Sequence, residues 1–520
     1  MHLPLSDDSR PPPELRRPVT TDSPPLRAET VEPAGDAPMP DVDLDRSLVH
    51  GIAWTGGIKS AVQVLSWLST LVVARLLSPT DYGISGMAMV YIGFVQLVNE
   101  FGLSAAVVQR RDLTDDQVAR LGGLSILLGA TMCALSLIAA PAVAGFFGQR
   151  AVQAVIVVLS VTFLSSAFQV LPRSLLAREL RFRTLAALEG SEALATTLVT
   201  LPLAILGARY WSLVIGAVAG RLVSTVLALK WRRHRLRWPF PLGSTKDSVL
   251  FGSHVAMANI AWYIFRNADM TVIGRWLGDK ALGAYTLGWN LASLPVDRIS
   301  TMAARATPAI FARVQDDASA LRRYVLALTE AISLLTVPAA VGLALVAPDF
   351  VTVVLGPAWV PAIQPVRVLA LAAIFRSAVP LMNQILVATG QSSRNMRGTI
   401  AIAIILPALF VGASRWGTTG VALVWLLGFP VVSFAFYVRH ALATCRMSIT
   451  TYARAFWPAV SASVIMAAAV AAVHWALQGH SPVLRLIVQV AAGASVYVSV
   501  MYVGHKPRLL AFQTAIKGLR

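Results

Sequence analysis

A chain of 520 residues that is 56% apolar and 13% charged, with a mean hydropathy of +0.65, is not an ordinary soluble enzyme. Soluble domains run at about 45–50% apolar and about 25% charged. The net charge of +18 suggests nucleic acid, yet residues 1–50 hold five arginines against ten carboxylates, so the whole positive excess falls on the apolar part.

Residues 1–47 are acidic, proline-rich and poor in aromatics, which predicts a disordered cytoplasmic tail. They contain no apolar run of the signal-peptide kind. The apolar blocks that follow predict fourteen spans, since about 20 apolar residues cross a bilayer. These are 52–77, 82–108, 119–144, 151–172, 185–206, 210–229, 248–274, 281–304, 324–347, 361–389, 398–414, 418–438, 456–477 and 482–504. Alternate connecting segments carry 26 cations, among them Arg110, Arg173, Arg232, Arg313, Arg397, Arg439 and Lys506. The other set holds only Arg150, Arg209, Arg275, Lys280 and Arg415. By the positive-inside rule both termini lie in the cytoplasm.

An internal repeat is expected at an offset of 200. Arg75, Leu77 and Gly83 match Arg275, Leu277 and Gly283 without a gap, pairing span one with span seven. Parallel repeats of six helices are a transporter architecture. The chain therefore reads as an all-α polytopic membrane protein of two six-helix lobes around a central cavity. The lobes are 48–238 and 239–450, with two extra helices in 451–504 and a basic cytoplasmic tail at 505–520.

Polar stripes recur at helical spacing inside these spans. Span one carries Lys59, Gln63, Ser66 and Thr70; span seven carries Asn259, Tyr263, Arg266 and then Asp269 or Met270. Span eight adds Asn290, Ser293 and Asp297 beside Arg298, and span ten adds Arg367, Arg376 and Asn383. A charge at the bilayer centre costs about 2.5–3.5 kcal/mol even on lenient scales, so such residues face protein or water. Lys59, Gln63, Asn259, Arg266, Asn290, Arg298, Arg367, Arg376 and Asn383 are the expected lining of a basic cavity suited to an anion. Asp269, Asp297, Glu192 and Glu100 are the candidates to bind a coupling proton or sodium ion. Arg266 and Asp269 read equally well as a structural ion pair. Arg75, Arg221 and Arg485, near span ends, read as snorkelling side chains.

Other chemistries lack their residues. Cys133 and Cys445 stand far apart and outside any C-x-x-C, which points away from a disulfide framework or a zinc site. There is no G-x-x-x-x-G-K-[ST] phosphate loop for an ATP-driven pump and no H-E-x-x-H. The external loops are too short and too poor in acidic pairs or arginines for a membrane glycosyltransferase or polymerase. No catalytic residue, metal or cofactor is expected.

Leu76-Leu77-Ser78-Pro79-Thr80-Asp81-Tyr82-Gly83, followed by Phe101-Gly102-Leu103-Ser104-Ala105-Ala106-Val107-Val108-Gln109-Arg110, resembles polysaccharide exporters of the Wzx type. These lie in the multidrug/oligosaccharidyl-lipid/polysaccharide exporter superfamily. Further matches are Asp269 to Leu277, Gly283-Ala284-Tyr285, Pro295 to Ile299, Phe311 to Asp317, and Gly356-Pro357-Ala358-Trp359, which resembles the family's external turn before span ten. The resemblance covers about residues 46–450. It implies a bacterial inner-membrane flippase that moves a polyprenyl-pyrophosphate-linked oligosaccharide to the periplasmic leaflet by alternating access. A polymerase and glycosyltransferases of the same pathway are implied partners. A lipid II flippase and a drug/cation antiporter are the alternatives within the superfamily.

Overall fold

Inside a bilayer a backbone must satisfy its own hydrogen bonds, which leaves the α-helix or the closed barrel. The computed structural model of this chain contains only helical elements among its described residues. Those residues are 66–100, 103–109, 113–239 and 262–506, all within the single unit Trp54–Arg520. The expected acidic tail, the last residues of the basic tail, Lys59, Gln63 and Asn259 lie outside them.

The helices are α1 (Ser66–Leu76), α2 (Pro79–Glu100), α3 (Leu103–Gln109), α4 (Asp115–Phe147), α5 (Ala151–Arg178), α6 (Phe182–Ile205) and α7 (Tyr210–Trp231). After the undescribed stretch come α8 (Ala268–Trp276), α9 (Gly278–Val314), α10 (Ala318–Phe350), α11 (Ile363–Ala388), α12 (Ser392–Ala413) and α13 (Gly417–Leu423). Beyond α13 the chain stays helical to Thr444 through π-helical turns at Val424–Gly428 and Phe434–Val438. The chain closes with α14 (Trp457–Ala476) and α15 (Pro482–Gly504). Nine helical stretches among the described residues are long and apolar enough to cross a membrane.

The repeat is visible in the packing. Helices α4 and α5 pair, as do α10 and α11; α6 pairs with α7, and α12 lies on α13. Equivalent helix starts are capped by equivalent side chains. Thr114 accepts from the backbone of Gln117 in a capping box at α4, and Asp317 accepts from Ser319 and Ala320 at α10. Hydrogen bonds, the largest from the Ser319 hydroxyl, hold the Asp317 carboxyl below its ordinary range.

Helices α2 and α9 cross where the two copies of the repeat meet. A Cβ on Gly83 would sit 1.9 Å from the carbonyl oxygen of Asp279, and one on Gly283 would sit 1.8 Å from that of Pro79. Residues 79 and 83 thus meet 283 and 279, a reciprocal contact across a pseudo-twofold with an offset of 200. Only hydrogen fits on either side.

Around this crossing one end of the bundle is sealed. The Trp359 indole is fully buried and donates to the Ala74 carbonyl at 2.7 Å, with the Tyr82 ring edge-on at 5.2 Å. Arg75 donates to the carbonyls of Val353 and Val354, freed by the π-helical turn Val351–Leu355 that ends α10. This is a built contact and not the snorkelling expected of Arg75. Asp81 accepts from Ser78 and from the Tyr210 amide, and Gln149 donates to Asp279 at 2.6 Å. Every turn at this end belongs to the cation-poor set.

Arg485 corrects the sequence reading as well. It grips Asp349 at the end of α10 through Nε, at 2.8 Å, and Nη2. Asp349 is buried and also faces His474 of α14 at 3.5 Å, so the α14–α15 hairpin is clamped to α10.

Two predictions follow from the packing. Gly83→Ala or Gly283→Ala should destabilise the protein by about 1–3 kcal/mol, the usual cost of overpacking. Because the two residues share one interface, thermal unfolding of the double variant should show less than the sum. Arg485→Ala leaves the buried Asp349 carboxylate with only His474 beside it and should lower the melting temperature; adding Asp349→Asn should recover much of the loss in the same melting assay.

Candidate functional site

Directly below the seal lies a cavity of about 580 Å³. Ser66, Ser69 and Thr70 of α1 line it, with Ser85 of α2, Thr196, Thr197 and Thr200 of α6, and Thr286 of α9. Tyr263, Asn267 and Met270 complete the wall opposite. Val73, Met89, Val90, Leu213 and Ala217 line it as well, so most of the surface it exposes is apolar with polar groups set among it, and its described lining contains no Lys, Arg, Asp or Glu. That differs from the basic lumen expected from the stripes. Of the span-one stripe, Ser66 and Thr70 do face the cavity; Lys59 and Gln63 are outside the described residues.

The span-seven stripe is turned by part of a helical step. Tyr263, Asn267 and Met270 point at the cavity, whereas Arg266 is exposed and stacks on the Trp262 ring 4.9 Å away. The Tyr263 hydroxyl donates to the Val90 carbonyl at 3.1 Å, which ties this segment to α2. Asp269 points the other way, into protein, and it is not paired with Arg266.

Asp269 is fully buried at the centre of a second constellation. Its carboxylate accepts from the Tyr285 hydroxyl at 2.8 Å, the Trp425 indole at 2.9 Å and the Met270 amide at 2.7 Å. Trp425 sits on the π-helical turn Val424–Gly428, just before Pro430, which has no amide hydrogen for the regular helical ladder. Its ring packs against Trp289 at 5.1 Å, Phe410 at 5.5 Å and Phe429 at 5.4 Å. The Arg376 guanidinium lies 3.8 Å from the Trp289 ring centre and donates to Ser293 at 3.3 Å. Helices α8, α9, α11, α12 and the turn after α13 thus place one carboxylate, two donors and one guanidinium inside an aromatic box. Sequence spacing pointed to Asp269 and Arg376 but could not show Tyr285 and Trp425, which lie 16 and 156 residues away in the chain.

The remaining candidates disperse. Arg367 is half-buried and donates to the Ala344 carbonyl at 3.1 Å, joining α11 to α10. Asn290 is exposed. The Asn383 side-chain oxygen is buried with no hydrogen-bond partner among the described residues. Glu100, Asp297 and Arg298 lie on α2 and α9, and their side chains are outside the described set. Glu192 of α6 meets Arg221 of α7 at 3.5 Å and Arg173 of α5 at 4.0 Å. Arg221 is therefore an interhelical partner and not a snorkelling residue.

A helical membrane bundle with a repeat-symmetric crossing and a cavity beneath one sealed end defines a transporter fold. Solved structures share it. A lipid II flippase in an inward closed conformation superposes with a TM-score of 0.72 over 88% of this chain and 100% of its own, at 13% identity. An inward-facing multidrug transporter gives a TM-score of 0.58 over 75% of this chain and 99% of its own, at 15% identity. The sequence is more particular. Residues 72–364 match the family described as polysaccharide biosynthesis protein, and the chain belongs to that family. It is 25% identical over 477 residues to the teichuronic acid biosynthesis protein TuaB of Bacillus subtilis, covering 88% of this chain and 96% of the relative. It is 24% identical over 393 residues to the lipopolysaccharide biosynthesis protein WzxC of Escherichia coli, covering 74% and 79% respectively.

Asp269→Asn sets its new amide group either against both Tyr285 and Trp425, which share Oδ2, or against the Met270 amide at Oδ1, so a buried donor is left unsatisfied either way. It should destabilise by about 1–3 kcal/mol. Thermal unfolding in detergent, followed by tryptophan fluorescence, checks both the stability and the change around Trp425.

Proposed function

We propose that the chain is a transporter and not an enzyme: a flippase that moves a polyprenyl-pyrophosphate-linked oligosaccharide across a bacterial inner membrane for surface polysaccharide synthesis. The observation that carries this reading is the cavity beneath the sealed, cation-poor end, whose uncharged described lining sets Ser66, Ser69, Ser85 and Asn267 among apolar residues. An oligosaccharide is a dense array of hydroxyls whose entry into hydrocarbon would strip its hydrogen bonds. The serine hydroxyls and the Asn267 amide of the wall can replace some of those bonds, because each can donate or accept. Family membership supports the same substrate class.

A second cavity of about 650 Å³, lined by Ile374, Phe375, Val431, Phe434, Phe456 and other apolar residues, offers a path for a lipid tail at the surface of α11 and α14. Halves 48–238 and 239–450 act as the rocking lobes, with α14 and α15 an appendage to the second. Asp269 is the coupling carboxylate of this reading, since a proton or sodium ion arriving there changes its bonds to Tyr285 and Trp425. The polymerase and glycosyltransferases that make and consume the lipid-linked chain are its expected partners. A cationic drug is disfavoured as substrate, because the described cavity lining offers no carboxylate. The lipid II alternative has support from the fold alone.

Both termini face the cytoplasm in this reading, and the sealed end faces the periplasm. After replacement of Cys133 and Cys445, single cysteines at Arg232 and Arg397 should be shielded from an impermeant reagent in intact cells, and those at Lys280 and Trp416 labelled. Transport itself is tested with the purified protein in vesicles loaded with fluorescent lipid-linked oligosaccharide on one leaflet. Leaflet exchange should need the protein, and Asp269→Asn should remove its response to an imposed ion gradient. No exchange in vesicles, together with unaltered surface polysaccharide on deletion, would overturn the reading.

A further inference from the structure

A charged cluster lies just beyond the cavity wall. On α7, Leu213 and Ala217 line the cavity and Arg221 follows four residues on; on α6, Thr200, Thr196 and Ala193 line it and Glu192 lies next to Ala193. Arg221 therefore sits one helical turn, about 5.4 Å, beyond the cavity wall, away from the seal. Arg173 joins it from α5. Both guanidinium groups donate through Nη1 to the same oxygen of Gln169, at 3.1 and 3.3 Å, and Gln169 is itself fixed by the Ser224 hydroxyl at 2.7 Å.

The charge at this cluster does not balance. Among the described residues two guanidinium groups share one carboxylate, Glu192, at 3.5 and 4.0 Å, which leaves one positive charge in excess there. Among the described residues no hydrogen bond uses Nε or Nη2 of either arginine. All three charged side chains stay open, with 28% of Arg173, 29% of Arg221 and 26% of Glu192 exposed. Two forked donors, held in register by a buried glutamine and partly accessible, suit a tetrahedral oxyanion with oxygens to spare. If the cluster served only to bundle α5, α6 and α7, a single arginine facing Glu192 would do.

We propose that Arg173 and Arg221 form a phosphate-binding site that holds the pyrophosphate of the lipid-linked substrate while its sugars occupy the cavity beneath the seal, with Glu192 as the intramolecular competitor that the anion displaces. The proposal rests on the flippase reading for the identity of its ligand. It gives Glu192 a role in release of the anion in place of the coupling role expected from sequence.

The test is titration of the purified full-length protein in detergent with farnesyl pyrophosphate, read by calorimetry, with inorganic pyrophosphate as competitor. Arg173→Gln and Arg221→Gln should each weaken binding about tenfold or more, the loss expected for a charge-assisted hydrogen bond. Glu192→Gln should tighten it, which a merely structural carboxylate would not do. Inorganic pyrophosphate should displace the farnesyl compound, placing the contact on phosphate and not on the prenyl chain. Folded arginine variants that bind as the wild type does, a glutamine at 192 that weakens binding, or failure of pyrophosphate to compete would each overturn the site. Should an arginine variant unfold, the Glu192→Gln result and the competition still decide. Vesicle exchange separates the two readings: a wild type that binds through these arginines but exchanges no lipid-linked sugar sinks the flippase reading and spares the anion site. A wild type that exchanges as well as both arginine variants does the reverse.

Discussion

Two backbones that touch leave no room for side chains, and the meeting of α2 with α9 is built on that constraint. Gly83 faces the Asp279 carbonyl and Gly283 faces that of Pro79, so one contact is made twice by residues 200 positions apart. The approach brings Asp279 within reach of Gln149 and sets Tyr82 against Trp359. A larger residue at either glycine would wedge the two helices apart and carry the ring of turns with them. The cavity beneath owes its closed end to this crossing.

Polar groups in the protein divide by what they neutralise. At the sealed end, Arg75 and Trp359 satisfy main-chain carbonyls, which suits a surface where chain direction changes and helical bonds run out. In the second half, Asp269 is saturated by aromatic donors and Arg376 lies against aromatic faces, so both charges are solvated by protein. In the first half the Arg173–Arg221–Glu192 cluster is left with charge to spare. The two clusters thus differ in how much of their charge the described protein meets.

Much of the architecture was legible in the sequence because helices in lipid announce themselves by apolar length, and the turns by which loops carry arginine. The repeat could be found from Arg75, Leu77 and Gly83, and at Gly83 and its counterpart Gly283 the packing admits only hydrogen. The site was legible in part. Ser66 and Thr70 fell on the cavity as their spacing implied, and so did Tyr263 and Met270; the departure is at Arg266, in whose place Asn267 lines the wall, since neighbouring positions differ by only 100° on a helix and no single sequence fixes the rotation. Arg75, Arg221 and Arg485 were misjudged for another reason: position near a span end is visible in sequence, whereas the partners Val353, Glu192 and Asp349 are distant in the chain. The hydroxyls of α6 passed unremarked, although Gly216 and Gly220 on α7, spaced as in a close helix pair, mark where Thr200 and Thr196 lie.

The few polar groups set in the cavity's apolar wall have a kinetic consequence under the proposed function. A serine or threonine trades one partner for another by turning about a single bond. A polyhydroxylated passenger held by such groups can give up its contacts one at a time, each exchange small and nearly level. Affinity is then spread thinly over the wall instead of concentrated in one deep well. On the proposed flippase reading, such a wall would let a sugar slide and rotate without being trapped.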